Sequence, residues 1–314
     1  MDDLFEKLDN LFSEYDSFVI MGHCNPDLDS YGASLALYNR ITKMDKKCAI
    51  YRSNNNYSEE MQKAIIKISN VKYVNEANIS YLSNSLLIIV DVQQKSRLEF
   101  PGLVDICKEY VIIDHHIKDK ECMDSAKLMY INDTMSSMVE MMTYYLDFKD
   151  IEIDSDTATI MLAALEIDTN NYNLKTTSRT YKAASKLVEM GADVLSKAEL
   201  LKTSKDDYVK RADYIRNSYT VNNNIAICVL PDISKTETLA EVADSLLSFD
   251  SIEASFAISK IDKDIYGISA RSLGNVDILS IVRTFDGGGS KTSAAAKTPK
   301  GLKEIKNIII KMTK

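Results

Sequence analysis

All three histidines of the 314-residue chain, His23, His115 and His116, follow short apolar runs and stand beside acidic residues. Phe18 to Met21 runs into His23-Cys24-Asn25-Pro26-Asp27-Leu28-Asp29-Ser30, Leu86 to Val90 into Asp91, and Tyr110 to Ile113 into Asp114-His115-His116. Each run has the length of a buried strand. In an open parallel sheet the carboxyl ends of the strands line one edge, where ligands bind. The pattern therefore gathers His23, Asp27, Asp29, Asp91, His115 and His116 at one place. One Asp after a strand is ordinarily a turn or cap residue, so Asp91 alone carries no argument; the joint arrangement does. Carboxylates packed together repel one another unless cations lie between them. A His/Asp donor set without Cys suits divalent ions of the Mn2+ or Mg2+ type, although Fe2+, Co2+ or Zn2+ could also fill it. Two such ions about 3.5–4 Å apart would clamp the attacking and leaving oxygens of a phosphoryl transfer.

The elements that must position these groups are legible as alternating patterns. Leu4, Phe5, Leu8, Leu11 and Phe12 recur at helical spacing ahead of the first strand, and Ala33 to Ile41 reads as a helix before a strand at Cys48 to Tyr51. Strands alternating with helices predict an α/β domain with a doubly wound, mainly parallel sheet. Ser137-Met138-Val139-Glu140 has the form of a capping box opening an apolar helix, and Asp156 to Glu166 reads as another that ends near Asp168. Met138, Met141, Met142, Tyr144 and Tyr145 are expected in the helix core. Residues 192–218 are charged and helical in pattern, and Lys202 to Arg211 reads as a solvated face. Beyond Asn222-Asn223-Asn224, Ile225 to Leu230, Ala254 to Ser259 and Ile265 to Ala270 read as strands around a helix at Thr236 to Leu247, with a glycine-rich loop at Gly287-Gly288-Gly289. The expected organisation is a catalytic domain over 1–190, a helical linker over 191–221 and a smaller α+β domain over 222–314.

Composition narrows the function. Hydrophobic residues make up 45% and charged residues 27%, while only 10 Gly and 4 Pro are present, so collagen-like and disordered readings fail. The net charge of −8 argues against a long nucleic acid held by Lys and Arg neutralisation. Five cysteines without a CxxC pair indicate neither a disulfide framework nor a thiolate zinc site. The apolar runs are of strand length and the start of the chain has no signal-peptide pattern. A reducing cytoplasm is the expected compartment.

His23 to Ser30 with Asp114-His115-His116 resembles the DHH phosphoesterase superfamily, and the Gly287-Gly288-Gly289-Ser290 loop resembles its DHHA1 substrate-binding domain. Ile268-Ser269-Ala270-Arg271-Ser272, Glu166 to Tyr172 and Ser178-Arg179-Thr180 are similar to the catalytic module of GdpP-type cyclic-di-AMP phosphodiesterases. The membrane helices, PAS and degenerate GGDEF domains that precede this module in GdpP proteins are not in this sequence, so a stand-alone or an excised module is expected. The resemblance implies one metal held by His23, Asp27 and Asp91 and a second by Asp29, Asp91, His115 and Asp168, with Asp91 bridging. It implies that Asp114 orients an imidazole, that His116 faces the scissile phosphate, and that a hydroxide between the ions attacks phosphorus. It places Arg271, Ser269, Gly287, Gly288, Gly289 and Ser290 at the substrate, with the second domain closing over the metal edge, and it suggests a homodimer.

Ser290 stands where the family has His, which changes what the loop can offer a phosphate. The leading expectation is hydrolysis of cyclic di-AMP to linear pApA, with cyclic di-GMP a poorer substrate. Alternatives are a nanoRNase or pAp phosphatase acting on short oligoribonucleotides, and a nucleotide-binding module with little catalysis. A RecJ-like exonuclease ranks last, given the acidic chain.

Overall fold

The computed structural model describes residues 1–53, 57–79, 82–231, 233–234 and 236–313. The chain divides into two compact units, Met1–Lys202 and Thr203–Lys314.

In the first unit α1 (Asp2–Glu14) leads into β1 (Ser17–Met21), α2 (Leu28–Lys43), β2 (Lys47–Tyr51), α3 (Glu59–Lys67), β3 (Tyr73–Val74), β4 (Leu86–Val90), α4 (Gly102–Cys107), β5 (Tyr110–Asp114) and β6 (Leu128–Ile131). Four helices follow: α5 (Met138–Phe148), α6 (Ser155–Asp168), α7 (Ser178–Glu189) and α8 (Val194–Leu200). The sheet order is β3-β2-β1-β4-β5-β6 and every pairing is parallel. This is the doubly wound α/β architecture expected from the alternation, and the order reverses between β1 and β4. Strand residues alternate between two cores because successive side chains leave opposite faces. Phe18 and Ile20 pack with α1, α2, α5 and α6, whereas Val19 and Met21 pack with α4. Met138, Met141, Met142 and Tyr145 are buried and Tyr144 is half-buried, as helix-core residues.

Local chemistry sets the helix starts. Asp27 caps α2 by accepting the Ser30 N–H at 3.0 Å, Asp154 caps α6 through Thr157, and Ser137 caps α5 through the Glu140 N–H. Only the serine half of the expected Ser137–Glu140 capping box forms. The Glu140 carboxylate turns to the Ser136 N–H at 3.1 Å instead.

The second unit contains α9 (Lys205–Arg216), β7 (Tyr219–Val221), β8 (Ile225–Val229), α10 (Thr236–Leu247), β9 (Ala254–Asp262), β10 (Ile265–Ser272), α11 (Ile278–Arg283), β11 (Gly288–Gly289), β12 (Ser293–Thr298) and α12 (Leu302–Met312). Its sheet order is β11-β12-β10-β9-β8-β7, antiparallel except for the β8–β9 pair joined through α10. Residues 191–221 divide between the units: Leu200 of α8 belongs to the first core, and α9 has no buried residue. Lys202 to Arg211 is exposed apart from a half-buried Arg211.

Gly287 sits where a Cβ would meet the Ala295 carbonyl at 2.4 Å, Val282 Cγ1 at 2.5 Å and Ala296 Cβ at 2.6 Å, whereas nothing lies within 4 Å of a Cβ on Gly288. Gly287→Ala should therefore cost about 1–3 kcal/mol of stability by overpacking. Gly288→Ala should stay within about 0.5 kcal/mol. Chemical denaturation of both variants checks this, and equal stabilities would contradict it.

Candidate metal centre

Asp91 is the residue following β4, at the point where the strand order reverses. Its backbone is left-handed, with φ +63°, an uncommon conformation for a residue with a side chain. The side chain is buried between two groups of potential ligands. Oδ2 lies 3.5 Å from His23 Nε2, which is itself 3.6 Å from Asp27 Oδ2. Oδ1 lies 3.3 Å from His115 Nε2 and 3.4 Å from His116 Nδ1. His115 Nε2 also faces Asp29 Oδ2 at 3.6 Å and Asp168 Oδ2 at 3.8 Å. Thus His23, Asp27 and Asp91 form one group, and Asp29, His115 and Asp168 another. Asp91 with His115 and His116 forms a third that joins them.

These separations decide between hydrogen bonds and shared ions. At 3.3–3.8 Å the pairs are too long for good N–H···O bonds. Two atoms each bonded at about 2.0–2.2 Å to one ion lie about 3–3.6 Å apart. Asp91 Oδ1 is buried with no hydrogen-bond partner among the described residues. An orphaned carboxylate oxygen facing His115 Nε2 fits a cation, and the all-O/N donor set could hold a divalent metal ion.

Further partners orient the ligands. His23 Nδ1 is 2.9 Å from the Cys24 carbonyl and His115 Nδ1 3.5 Å from the Met135 carbonyl, so both rings turn Nε2 toward the carboxylates. Both Asp29 oxygens accept backbone N–H groups from the start of α5, Met138 at 2.7 Å and Val139 at 2.8 Å. Asp168 ends α6, where the helix dipole disfavours a carboxylate and a nearby cation would relieve it. Asp114 takes no part in the ligand groups. Its Oδ1 accepts from His116 Nδ1 at 2.8 Å and its Oδ2 from Gln93 Nε2 at 2.8 Å. The His116 side chain is 42% exposed. Gln93 completes the Gln93–Asp114–His116 chain and lies outside the sequence pattern of acidic and imidazole residues; its place two residues beyond Asp91, after β4, is the one sequence signal for it.

The charge balance points the same way. Burial alone would push Asp91 up, yet the His115 and His23 imidazoles hold it far below the usual carboxylate range. Burial, then the Asp168 and Asp91 charges, push Asp29 well up, and burial first also raises Asp168. Burial would lower His115, but Asp91, Asp168 and Asp29 raise it to about 10. The cluster thus retains protons that divalent ions would displace.

In the second unit, Arg271 on β10 pairs across the sheet with Ser293 of β12, whose carbonyl accepts the Ser290 N–H at 2.6 Å. Arg271 and Ser290 therefore share one end of this sheet. Arg271 Nε donates to Asp244 at 2.8 Å and Nη1 to Ser269 Oγ at 3.1 Å, which leaves Nη2 without a hydrogen-bond partner among the described residues. Ser290 Oγ accepts the Ser293 N–H at 3.1 Å and closes the β11–β12 turn. The Gly287 N–H is spent on the Val282 carbonyl at 3.2 Å, Gly288 is open, and Gly289 has φ +137°.

Comparison with known proteins agrees with this architecture. The chain belongs to the DHH family: residues 17–165 match the model of the DHH family N-terminal domain, and residues 222–314 that of the DHHA1 domain. Over 303 residues it is 34% identical to the cyclic-di-AMP phosphodiesterase GdpP of Bacillus subtilis, covering 92% of this chain and 46% of that protein. The chain thus spans less than half the length of that relative. It is 23% identical over 304 residues to the bifunctional oligoribonuclease and PAP phosphatase NrnA of Mycoplasma genitalium, covering 91% and 90% of the two chains. The crystal structure of an exopolyphosphatase-related protein from Bacteroides fragilis shares the fold with a TM-score of 0.83 at 18% identity, covering 100% of this chain and 96% of that one.

No helix among the described residues is long and apolar enough to cross a membrane, and the five cysteines are free.

The raised groups set a sign for the metal-free protein. A folded pKa above the unfolded one contributes stability that is present below the unfolded value and lost as pH rises through the folded value. His115, at about 10 against 6.5, therefore loses its contribution across that window. Asp29 and Asp168, also raised, act in the same sense. Chelator-treated protein should be less stable to urea near pH 10 than near pH 7, and saturating Mn2+ should remove most of the difference. Metal-free stability that rises over this range would contradict the charge balance.

Proposed function

We propose that this chain is a divalent-metal phosphodiesterase that hydrolyses cyclic di-AMP to linear pApA. The observation that carries the reading is Asp91, one carboxylate whose two oxygens face two separate His/Asp groups. The similarity to GdpP supports the choice of substrate. His23, Asp27 and Asp91 would hold one cation, and Asp29, Asp91, His115 and Asp168 the other. When bound, such a pair supplies Lewis-acid charge to phosphoryl oxygens and acidifies a water.

The chain's own groups do the rest. Asp114 accepts the His116 Nδ1 proton, so Nε2 is the nitrogen left for the substrate. Gln93 pins the far oxygen of Asp114 and keeps the ring from swinging. From that position His116 contacts a phosphoryl oxygen and orients the scissile bond. Arg271, fixed through Nε and Nη1, offers its remaining N–H groups to a substrate phosphate, with the Ser290 turn at the same sheet end. A second reading, action on short oligoribonucleotides or pAp, draws support from the similarity to NrnA. A binding module with little catalysis draws on Ser290 at the family's His position.

Purified protein with Mn2+ should convert cyclic di-AMP to pApA, followed by ion-exchange chromatography, with slower turnover of pApA, pAp and a short oligoribonucleotide. Preference for one of the latter establishes the second reading, and binding of cyclic di-AMP without turnover of any substrate over a range of divalent metals overturns hydrolysis altogether. Asp114→Asn should lower kcat about 10- to 100-fold. Arg271→Ala should raise KM about 10- to 100-fold with kcat little changed, as expected for a lost charged hydrogen bond. An unchanged KM would remove Arg271 from the substrate site.

A further inference from the structure

Glu140 is fully buried in the first turn of α5, and its two oxygens are unequally served. Oε2 accepts from the Ser136 N–H at 3.1 Å, from the Ser136 hydroxyl, and from Thr180 Oγ1 at 3.0 Å. Oε1 is buried without a hydrogen-bond partner among the described residues and faces Arg179 Nε at 3.6 Å. A buried carboxylate is costly unless paired, and a helix start could be capped by Ser137 alone. The cost has a use in the segment that Glu140 holds. The Met135 carbonyl faces His115 Nδ1, and the Met138 and Val139 N–H groups grip both oxygens of Asp29. At the start of the same segment, Arg179 Nη2 donates to the Thr134 carbonyl at 2.7 Å. Arg179 thus fastens residues 134–139 at Thr134 and Glu140 fastens them at Ser136, and the segment meets both Asp29 and His115. His23 and Asp27 make no hydrogen bond or ion pair with it among the described residues: His23 is set by Cys24 and Asp27 by Ser30.

We propose that Glu140, assisted by Arg179, is a positioning residue selective for one of the two cations, the one taken by Asp29, His115 and Asp168. It acts through the backbone of residues 134–139 and touches neither ion nor substrate. The inference rests on the two-cation reading above. It predicts a one-sided defect, because the two ligand groups share Asp91 but differ in what holds them. A general loosening of the fold would weaken both.

Calorimetric titration of the metal-free full chain with Mn2+ tests this without any turnover. The parent should take up two ions. Glu140→Gln keeps the side-chain volume but gives up the negative charge, and should weaken one binding step about 10- to 100-fold while leaving the other within about two-fold. Asp29→Asn should weaken the same step. A Glu140→Gln profile matching the parent overturns the proposal, as does equal weakening of both steps. Should Glu140→Gln fail to fold, Arg179→Ala at a half-exposed position decides: a smaller loss at the same step supports the proposal and unchanged two-step binding rejects it. A parent that binds fewer than two ions removes the two-cation reading itself, and the positioning role with it.

Discussion

The arrangement depends on one carboxylate serving two neighbours. Asp91 is buried, its backbone is held in a left-handed conformation, and its oxygens face opposite sides. Hydrogen bonding explains neither the orphaned Oδ1 nor the separations around it. Burial and crowding disfavour the bare carboxylates, the imidazoles beside them offset part of that cost, and divalent ions in the protons' place would offset it through direct attraction to each ligand. The left-handed backbone is fixed against β5, where the Asp91 N–H donates to the Ile113 carbonyl at 2.9 Å.

The sheet supplies the gathering and the helices supply the polarity. Asp29 meets the positive start of α5, where two backbone N–H groups offset part of the burial and repulsion that push it up. Asp168 occupies the negative end of α6, where the same physics works against it.

Much of this was readable from residue types. The apolar runs at Phe18, Leu86 and Tyr110 are uninterrupted, as strands buried on both faces must be, and the acidic residues that end them locate the edge without further help. Asp168 was not readable in that way, because a carboxylate finishing a helix looks like any polar terminus; the family resemblance singled it out. Glu140 was visible, but as a cap: sequence spacing can show that a carboxylate reaches back over a helix start, not which of two adjacent serines it selects. Strands β6 and β12 carry little sequence signal because Leu-Met-Tyr-Ile is short and Ser-Ala-Ala-Ala-Lys-Thr is small and polar, and only pairing with β5 and β10 makes them strands.

Asp27 illustrates how tightly the first loop is specified. Through Oδ1 it starts α2, and through Oδ2 it faces His23, while its side chain is 54% exposed. Asn, Ser or Thr could begin the helix, and Glu could carry the charge, but only the short carboxylate does both at this reach. The position therefore has an alphabet of one letter despite lying in contact with solvent. Surface accessibility, which elsewhere signals freedom to drift, would mislead anyone ranking this residue's tolerance to change.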